Sequence, residues 1–471
     1  MDQRKKGIVM AWALMLLPLH GFSSPLDYYY QRYLDKRSHI RLGQSIEEHY
    51  FSQLIKHEDP AAGRFSQRYY VDETYAKSPD SPVFFYICGE AACSPYALYG
   101  AIRTYAEQFN ARLVALEHRF YGKSLPGKLS VENLQNLSTQ AALDDLAHFQ
   151  KSMMAEKNWK GKWVSFGGSY PGSLSAYYRL QHPELVVGAL ASSAPVRAKE
   201  DFNEYDQHVT RVAGVECATQ MRQVVQEVEN VLELDDQQAI AQLKEQFSAG
   251  ELTDNTDFLY MIADVGAAAV QYGMHEEFCT LLSKSTTALE GYATFTKKLF
   301  RRWQMTASDM TPQGALNEDG DYYSQGVGSR QWYYQSCTEY GYWQNAHPDP
   351  LQSTRSARIN AEYHRNVCWR LFGIDAGVDT SYINQNFYSP LLDSIVSRIY
   401  FTNGSNDPWS KLSLSLANGN ANNPNLNYSL IDGTAHCDDL RAPLNTDVPA
   451  LRAARQTFVG LLREWLGESS H

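Results

Sequence analysis

The segment 163–172 has the pattern of a nucleophile elbow, the sharp turn that presents a catalytic serine between a strand and a helix. An apolar run leads into Gly167 and Gly168, and the next residue, Ser169, precedes a helical pattern over 173–180. Small neighbours suit such a strained turn. The N–H groups at the start of the helix can stabilise an oxyanion. The pattern therefore predicts acyl transfer with Ser169 as nucleophile, although Gly-Gly-Ser also occurs in ordinary loops.

Two further segments place a carboxylate and an imidazole after short apolar runs. Asp407 follows the run 399–402, and His436 follows the run 428–431. A serine hydroxyl needs an imidazole to accept its proton, and a carboxylate to fix the tautomer of that imidazole. The chain order Ser, Asp, His is the one expected for an α/β hydrolase. Asp407 is preferred over three carboxylates closer to the histidine in the chain: Asp432, Asp438 and Asp439.

The oxyanion hole of such a site takes one N–H from the residue after the nucleophile and one from a loop after an early strand. Tyr170 follows Ser169 directly. The loop 88–93 follows the apolar run 83–87, so Glu90 or Ala91 is the predicted second donor.

Apolar and helical segments alternate along the first part of the chain. Runs that are apolar on both faces predict strands buried in a parallel sheet, and their order predicts an α/β fold. These runs are 83–87, 113–116, 163–166, 185–191, 399–402 and 428–431, with an earlier strand near 64–72 and helices near 96–109, 140–156 and 450–465. From about 197 to 385 the periodicity is helical without a clear strand, which predicts a helical insertion.

The N-terminus resembles a secretory leader. Basic residues at 4–6 precede an apolar stretch, 8–19, that is short for a membrane span, and small residues follow it. We predict cleavage near residue 23, export, and no membrane span after cleavage. The formal net charge of −11 without basic blocks argues against a nucleic-acid partner.

Export would allow the seven cysteines to form disulfides. Proximity in the chain favours three pairs, although sequence alone leaves the connectivity open: Cys88–Cys93, Cys217–Cys279 and Cys337–Cys368. This pairing leaves Cys437 over, and no cysteine spacing matches a metal site.

Several motifs spread along the chain resemble one family of secreted and lysosomal serine peptidases. The family contains prolyl carboxypeptidase, dipeptidyl peptidase II, thymus-specific serine protease and fungal prolyl endopeptidases. The matching segments are 65–70, 117–124, 167–172, 337–341, 403–409 and 435–440. The resemblance implies an α/β-hydrolase domain with a helical cap, the triad Ser169, Asp407 and His436, and peptide cleavage on the carboxyl side of proline. The activity that the resemblance implies requires no metal or cofactor. The expected divisions are a leader, 1–23, a hydrolase domain in two parts, 24–196 and 386–471, and a cap, 197–385.

The resemblance also assigns pocket residues. Trp409 falls where the family places an aromatic wall of the proline pocket. Ser173 stands where prolyl carboxypeptidase carries a bulkier apolar residue, and Pro171 replaces the usual elbow glycine, as in the thymus-specific branch. Glu339 is a candidate for binding a substrate amine, with a structural role beside the Cys337 disulfide as the alternative. The motifs are closest to the thymus-specific and fungal branches.

Two other functions fit the same residues. An esterase or lipase on this fold would prefer short acyl esters and show no preference for proline. A catalytically silent binding protein would keep the fold without reacting at Ser169. Peptides are the expected partners, and a homodimer is left open.

Overall fold

A single large sheet organises the structure, a computed structural model that describes residues 46–467. Its eight strands lie in the order β1-β2-β4-β3-β5-β6-β9-β10. The strands, together with the two of a small second sheet, are β1 Ile46–Leu54, β2 Arg64–Asp72, β3 Val83–Ile87, β4 Arg112–Leu116, β5 Trp163–Gly168, β6 Val186–Ser192, β7 Lys199–Asp201, β8 Gly341–Trp343, β9 Ile399–Gly404 and β10 Asn427–Ile431.

The sheet is antiparallel at one edge and parallel elsewhere. β1 pairs with β2 and β2 with β4 in antiparallel register, whereas every pair from β4 through β3, β5, β6 and β9 to β10 is parallel. This mixed sheet, with helices on both faces and a helical insertion between β6 and β9, is the α/β-hydrolase fold, as predicted. The eighth strand, β1, was not predicted, because its alternating polar residues do not form the continuous apolar run that marks a strand buried on both faces.

The helices fall into two groups. Those that alternate with the strands are α1 Ala101–Phe109, α2 Val131–Leu134, α3 Thr139–Glu156, α4 Tyr170–Gln181 and α14 Pro449–Leu466. Those between β6 and β9 are α5 Asn203–Glu233, α6 Gln237–Gln246, α7 Asn255–Gln271, α8 His275–Lys284, α9 Ala288–Trp303, α10 Ser329–Gln335, α11 Ala361–Phe372, α12 Ser381–Ile383 and α13 Ser389–Leu391.

Alternate side chains of the central strands bury against different helices. Phe85 of β3 packs in one core with α3 and α4, whereas Phe84 packs in a second core with α1 and α14. Both rings are fully buried. Each contributes about 1.5–3 kcal/mol on leaving water. The two cores hold the carboxyl ends of the parallel strands along one edge, which is where active sites of such sheets form.

Two details of the predicted helical segments were wrong. The predicted helix 96–109 begins only at Ala101, after a short 3₁₀ turn over Pro95–Leu98. The region 197–385 also contains the strands β7 and β8, which pair in parallel. Each has three residues, too few for a periodic signal. The exact division into domains stays a prediction.

The three cysteine pairs favoured by proximity are the ones in the structure: Cys88–Cys93, Cys217–Cys279 and Cys337–Cys368. Cys437 is buried and keeps its thiol. Among residues 46–467, no helix combines the length and apolar character that crossing a membrane requires. The predicted leader and its cleavage site lie outside the described residues.

Candidate active site

Ser169 lies in the turn between β5 and α4. Its backbone has φ 55° and ψ −121°, a conformation that is costly for a residue with a side chain. The turn is tight: a Cβ on Gly167 would lie 2.0 Å from the Pro171 carbonyl oxygen, and one on Gly168 would lie 2.9 Å from the Cys437 sulfur. Both glycines are therefore required by close approach. The predicted strand, turn and helix are all present around Ser169.

A carboxylate and an imidazole meet beside this turn. His436 Nδ1 lies 2.8 Å from Asp407 Oδ2, and both side chains are fully buried. The backbone N–H of Trp409 donates to the other oxygen, Asp407 Oδ1, at 3.0 Å. The N–H of His436 donates to the carbonyl of Gln271 at 3.0 Å. The Asp407 carboxylate and the His436 backbone are therefore each held by a further hydrogen bond, in addition to the contact between the two side chains.

The elbow and the histidine loop converge at the end of β6. Ser169 N donates to the carbonyl of Ser192 at 2.7 Å. Cys437, directly after His436, donates its backbone N–H to Ser193 Oγ at 3.0 Å. Neighbouring residues of one strand end therefore anchor both loops, which brings Ser169 and His436 to the same edge of the sheet.

The three competing carboxylates have other contacts. Asp432 is exposed. Asp438 accepts the Ala435 N–H at 2.8 Å within its own loop. Asp439 accepts the hydroxyls of Ser192 and Thr402 at 2.5 and 2.7 Å, which ties the histidine loop to the sheet.

Burial and the Asp407 carboxylate act in opposite directions on the pKa of His436. Burial lowers the pKa of His436, but the Asp407 carboxylate, with a further contribution from Cys437, raises that pKa overall to well above 6.5. A neighbouring carboxylate favours the imidazolium because opposite charges attract strongly where water is excluded. The pair is therefore suited to hold a proton taken from a nucleophile.

The predicted oxyanion donors lie at the start of α4 and in the loop after β3. Tyr170 is the first residue of α4, where the initial N–H groups have no partner within the helix. The loop after β3 pairs with the segment around Val327 through Ala92 N–H to Gly326 O at 2.9 Å and Gly328 N–H to Glu90 O at 3.1 Å. These two hydrogen bonds use the N–H groups of neither Glu90 nor Ala91. The donor role of Tyr170, Glu90 and Ala91 stays a prediction.

The segment 117–119 supports the site from behind, a role that sequence reasoning missed. Glu117 is fully buried and accepts the Cys93 N–H of the loop after β3 at 2.8 Å, together with the Arg68 guanidinium at 2.5 Å. His118 Nε2 lies 2.9 Å from the Tyr170 hydroxyl. Arg119 pairs with Asp145 of α3 through two hydrogen bonds of 2.7 and 2.5 Å. The sequence signal for this role was the run of ionisable residues 117–119 directly after a buried strand, because ionisable side chains are buried only when they have a polar partner.

Trp409 lies in a cavity enclosed by aromatic rings. Its indole Nε1–H donates to Gln271 Oε1 at 3.0 Å. Its ring lies 5.4 Å from that of Tyr342 and 5.6 Å from that of Tyr205. The cavity is bounded by Tyr205, Tyr260, Asp264, Gln271, Trp332, Tyr342 and Trp409, among others. Gln271 was not predicted, although a glutamine ending an apolar helix was a signal for it.

The other two predicted pocket residues lie elsewhere. Ser173 is buried one helical turn after the nucleophile, where its N–H donates to the Ser169 carbonyl at 2.8 Å. Glu339 accepts the N–H of Thr139 at 3.1 Å and its hydroxyl at 2.9 Å, at the start of α3. Burial raises the pKa of Glu339 to about 7. These contacts favour the structural role for Glu339 over the binding of an amine.

Comparisons with known proteins identify the family. The model of the family described as serine carboxypeptidase S28 matches residues 54–458. The "Probable serine protease EDA2" of Arabidopsis thaliana is 37% identical over 392 residues, which cover 79% of this chain and 77% of that protein. The thymus-specific serine protease of Mus musculus is 32% identical over 434 residues, with coverage of 85% and 84%. The resemblance found from the motifs is confirmed: the chain belongs to the serine carboxypeptidase S28 family and is a serine peptidase.

Proposed function

We propose that this protein is an exported serine peptidase that cleaves peptide bonds on the carboxyl side of proline. The observation that carries the proposal is the buried Asp407–His436 pair, 2.8 Å apart, at the strand edge where the Ser169 turn also lies. A fixed imidazole beside a strained serine turn is the arrangement that acyl transfer requires.

In this proposal the reaction runs through an acyl-enzyme. Ser169 Oγ attacks the carbonyl carbon of the scissile bond while His436 takes the hydroxyl proton. Asp407 holds the proton on Nδ1 and stabilises the imidazolium. The N–H of Tyr170, with that of Glu90 or Ala91, stabilises the oxyanion. His436 then protonates the leaving amine, and the C–N bond breaks. Water, deprotonated by His436, hydrolyses the ester and restores Ser169.

The aromatic cavity supports the preference for proline. A pyrrolidine ring is flat and apolar, and it gains most from contact with the faces of rigid aromatic rings. Trp409 immediately follows the Asp407–Pro408 segment, so a residue held against its ring would lie close to the catalytic carboxylate.

Export is supported by two observations. The segment 1–23 has the sequence pattern of a secretory leader. The three disulfides are a feature of oxidising compartments. We further propose that the helices between β6 and β9 limit access to peptides small enough to pass them.

The test is mass spectrometry of the products from a mixed peptide library, with Ser169→Ala as the matched control. We expect cuts after proline from the wild-type protein and none from the variant, together with labelling of wild-type Ser169 by a fluorophosphonate. Serine-dependent cuts without a proline preference would refute the specificity. Ester turnover without peptide cleavage would support the esterase alternative, and absence of labelling would support the silent binder.

A further inference from the structure

One continuous segment of the insertion contacts both predicted sources of oxyanion N–H groups. At its start, Gly326 and Gly328 pair with the loop after β3 through backbone hydrogen bonds of 2.9 and 3.1 Å. At its end, Gln335, the last residue of α10, donates from Nε2 to the Tyr170 hydroxyl at 2.8 Å. All seven residues of α10 are buried. The segment 326–335 is therefore a packed connection between the loop after β3 and the nucleophile elbow.

The proton positions around the Tyr170 hydroxyl follow from its partners. His118 Nδ1 lies 2.7 Å from the Arg119 carbonyl oxygen, which can only accept, so Nδ1 carries a proton. Burial lowers the pKa of His118 to about 4, so the ring is neutral at pH 7 and Nε2 has a lone pair. The Tyr170 hydroxyl must therefore donate to Nε2, at 2.9 Å, and accept from Gln335. This orients the Gln335 amide, whose Oε1 accepts the Tyr121 hydroxyl at 2.6 Å.

Tyr170 directly follows the strained residue of the elbow. Ser169 has φ 55° and ψ −121°, and such a conformation persists only where neighbouring contacts hold it. The Tyr170 side chain supplies contacts of this kind: its hydroxyl is held at the far end, and its ring lies 5.5 Å from that of Trp332 in α10. An oxyanion donor works only within about 2.7–3.1 Å of the charge it stabilises. A small rotation of the elbow would therefore weaken the Tyr170 N–H as a donor.

We propose that Gln335 is a positioning residue for the oxyanion hole, and that it acts by holding the Tyr170 hydroxyl and, through it, the nucleophile elbow. This inference rests on the proposed acyl transfer at Ser169 and adds a residue of the insertion to its geometry. Gln335 is fully buried, and a buried amide costs free energy that an apolar side chain of the same length would not. A glutamine suits this position because it donates to one tyrosine hydroxyl and accepts from another without carrying a charge. The insertion then helps to organise the reacting groups as well as covering them.

The experiment measures the second-order rate constant for labelling of the elbow serine by a fluorophosphonate, whose phosphoryl oxygen needs the same donors as an oxyanion. It also measures kcat and KM for a prolyl amide. The variants are Gln335→Met, Tyr170→Phe and the two combined. Gln150→Met is the matched control. Gln150 is also fully buried, accepts the Tyr178 hydroxyl at 2.7 Å and donates to the Leu185 carbonyl at 2.7 Å, but it contacts neither predicted source of oxyanion N–H groups.

Gln335→Met should slow labelling by about 10- to 100-fold, somewhat less than the loss of an oxyanion donor, and should lower kcat by a similar factor with KM within about threefold of wild type. Gln150→Met should label within about threefold of wild type, although its melting temperature should fall by a similar number of degrees because it loses the same kind of buried contacts. Tyr170→Phe keeps the ring and should slow labelling as Gln335→Met does, which also provides the test if Gln335→Met does not fold. In the Tyr170→Phe background, Gln335→Met should add less than about threefold, since the hydroxyl through which it acts is gone.

Two results would overturn the inference. Equal slowing in Gln335→Met and Gln150→Met would mean that both glutamines only stabilise the fold. A full further loss in the combined variant would mean that Gln335 does not act through the Tyr170 hydroxyl. Failure of the proposed function would look different: an unlabelled wild-type protein would refute the acyl transfer, and labelling without cleavage of the prolyl amide would refute the proline preference alone.

Discussion

Replacing Asp407 by asparagine should abolish most of the activity while leaving the fold intact, because the structure fixes the orientation of the new amide. Asp407 Oδ1 accepts the Trp409 N–H at 3.0 Å, so the amide oxygen must remain there to avoid two facing donors. The amide NH₂ then faces His436 Nδ1 across 2.8 Å. The imidazole must present a lone pair on Nδ1 and carry its proton on Nε2. In that tautomer it cannot accept a proton from Ser169.

The wrong tautomer costs about 10⁴-fold in kcat in serine proteases, or roughly 5 kcal/mol of transition-state stabilisation. We expect a loss of that order for Asp407→Asn in the cleavage of a prolyl amide and a similar slowing of fluorophosphonate labelling. Asp432→Asn is the matched control, since this exposed carboxylate lies on the histidine loop itself. Its kcat/KM should change by less than about twofold.

Thermal unfolding of both variants separates chemistry from stability. The change is isosteric, so the melting temperature of Asp407→Asn should remain within a few degrees of wild type, roughly what 1 kcal/mol produces in a protein of this size. A loss below about tenfold, or an equal loss in Asp432→Asn, would refute the assignment of Asp407 as the residue that orients His436.

Three further predictions concern pH, the elbow and a helix terminus. The pKa of His436 is raised above 6.5, and only the neutral imidazole accepts a proton. In a pH–rate profile, kcat/KM should therefore fall as pH decreases, with a midpoint above 6.5. A midpoint below 6.5 would contradict this prediction. Gly167→Ala places a Cβ 2.0 Å from the Pro171 carbonyl oxygen and should prevent labelling of Ser169 by a fluorophosphonate. Gly460→Ala, in α14, is the control: its Cβ meets nothing within 4 Å, so it should raise the free energy of unfolding in urea by about 0.5–1 kcal/mol. Glu339→Gln weakens the hydrogen bonds at the start of α3 and should lower the free energy of unfolding in urea by about 1 kcal/mol. Its kcat/KM for a prolyl substrate with a free N-terminus should stay within about twofold of wild type, and a large rise in KM for that substrate would restore Glu339 as a site for the substrate amine.

Local sequence was sufficient for the elements that present the reacting groups. The apolar runs of β3, β5, β6 and β9 are buried on both faces, so their hydrophobicity marks them without any tertiary information. The glycines before Ser169 indicate a tight turn, and the chain order of Ser169, Asp407 and His436 selects the fold. A buried strand and a tight turn each depend mainly on a few adjacent residues, so both can be recognised from the sequence alone.

Tertiary structure decided which distant groups meet. Four carboxylates were compatible with the sequence, and only the packed loops bring Asp407 to His436 while holding Asp439 against Ser192. Gln271 lies far from His436 in the chain, yet its carbonyl accepts the His436 N–H, and Asp264 gains a cationic partner through the approach of Arg355, 3.0 Å away. Such contacts depend on how helices of the insertion pack over the sheet. The sequence therefore determined which reacting groups the protein has. The tertiary structure alone determined which residues surround those groups, and so their orientation and their pKa values.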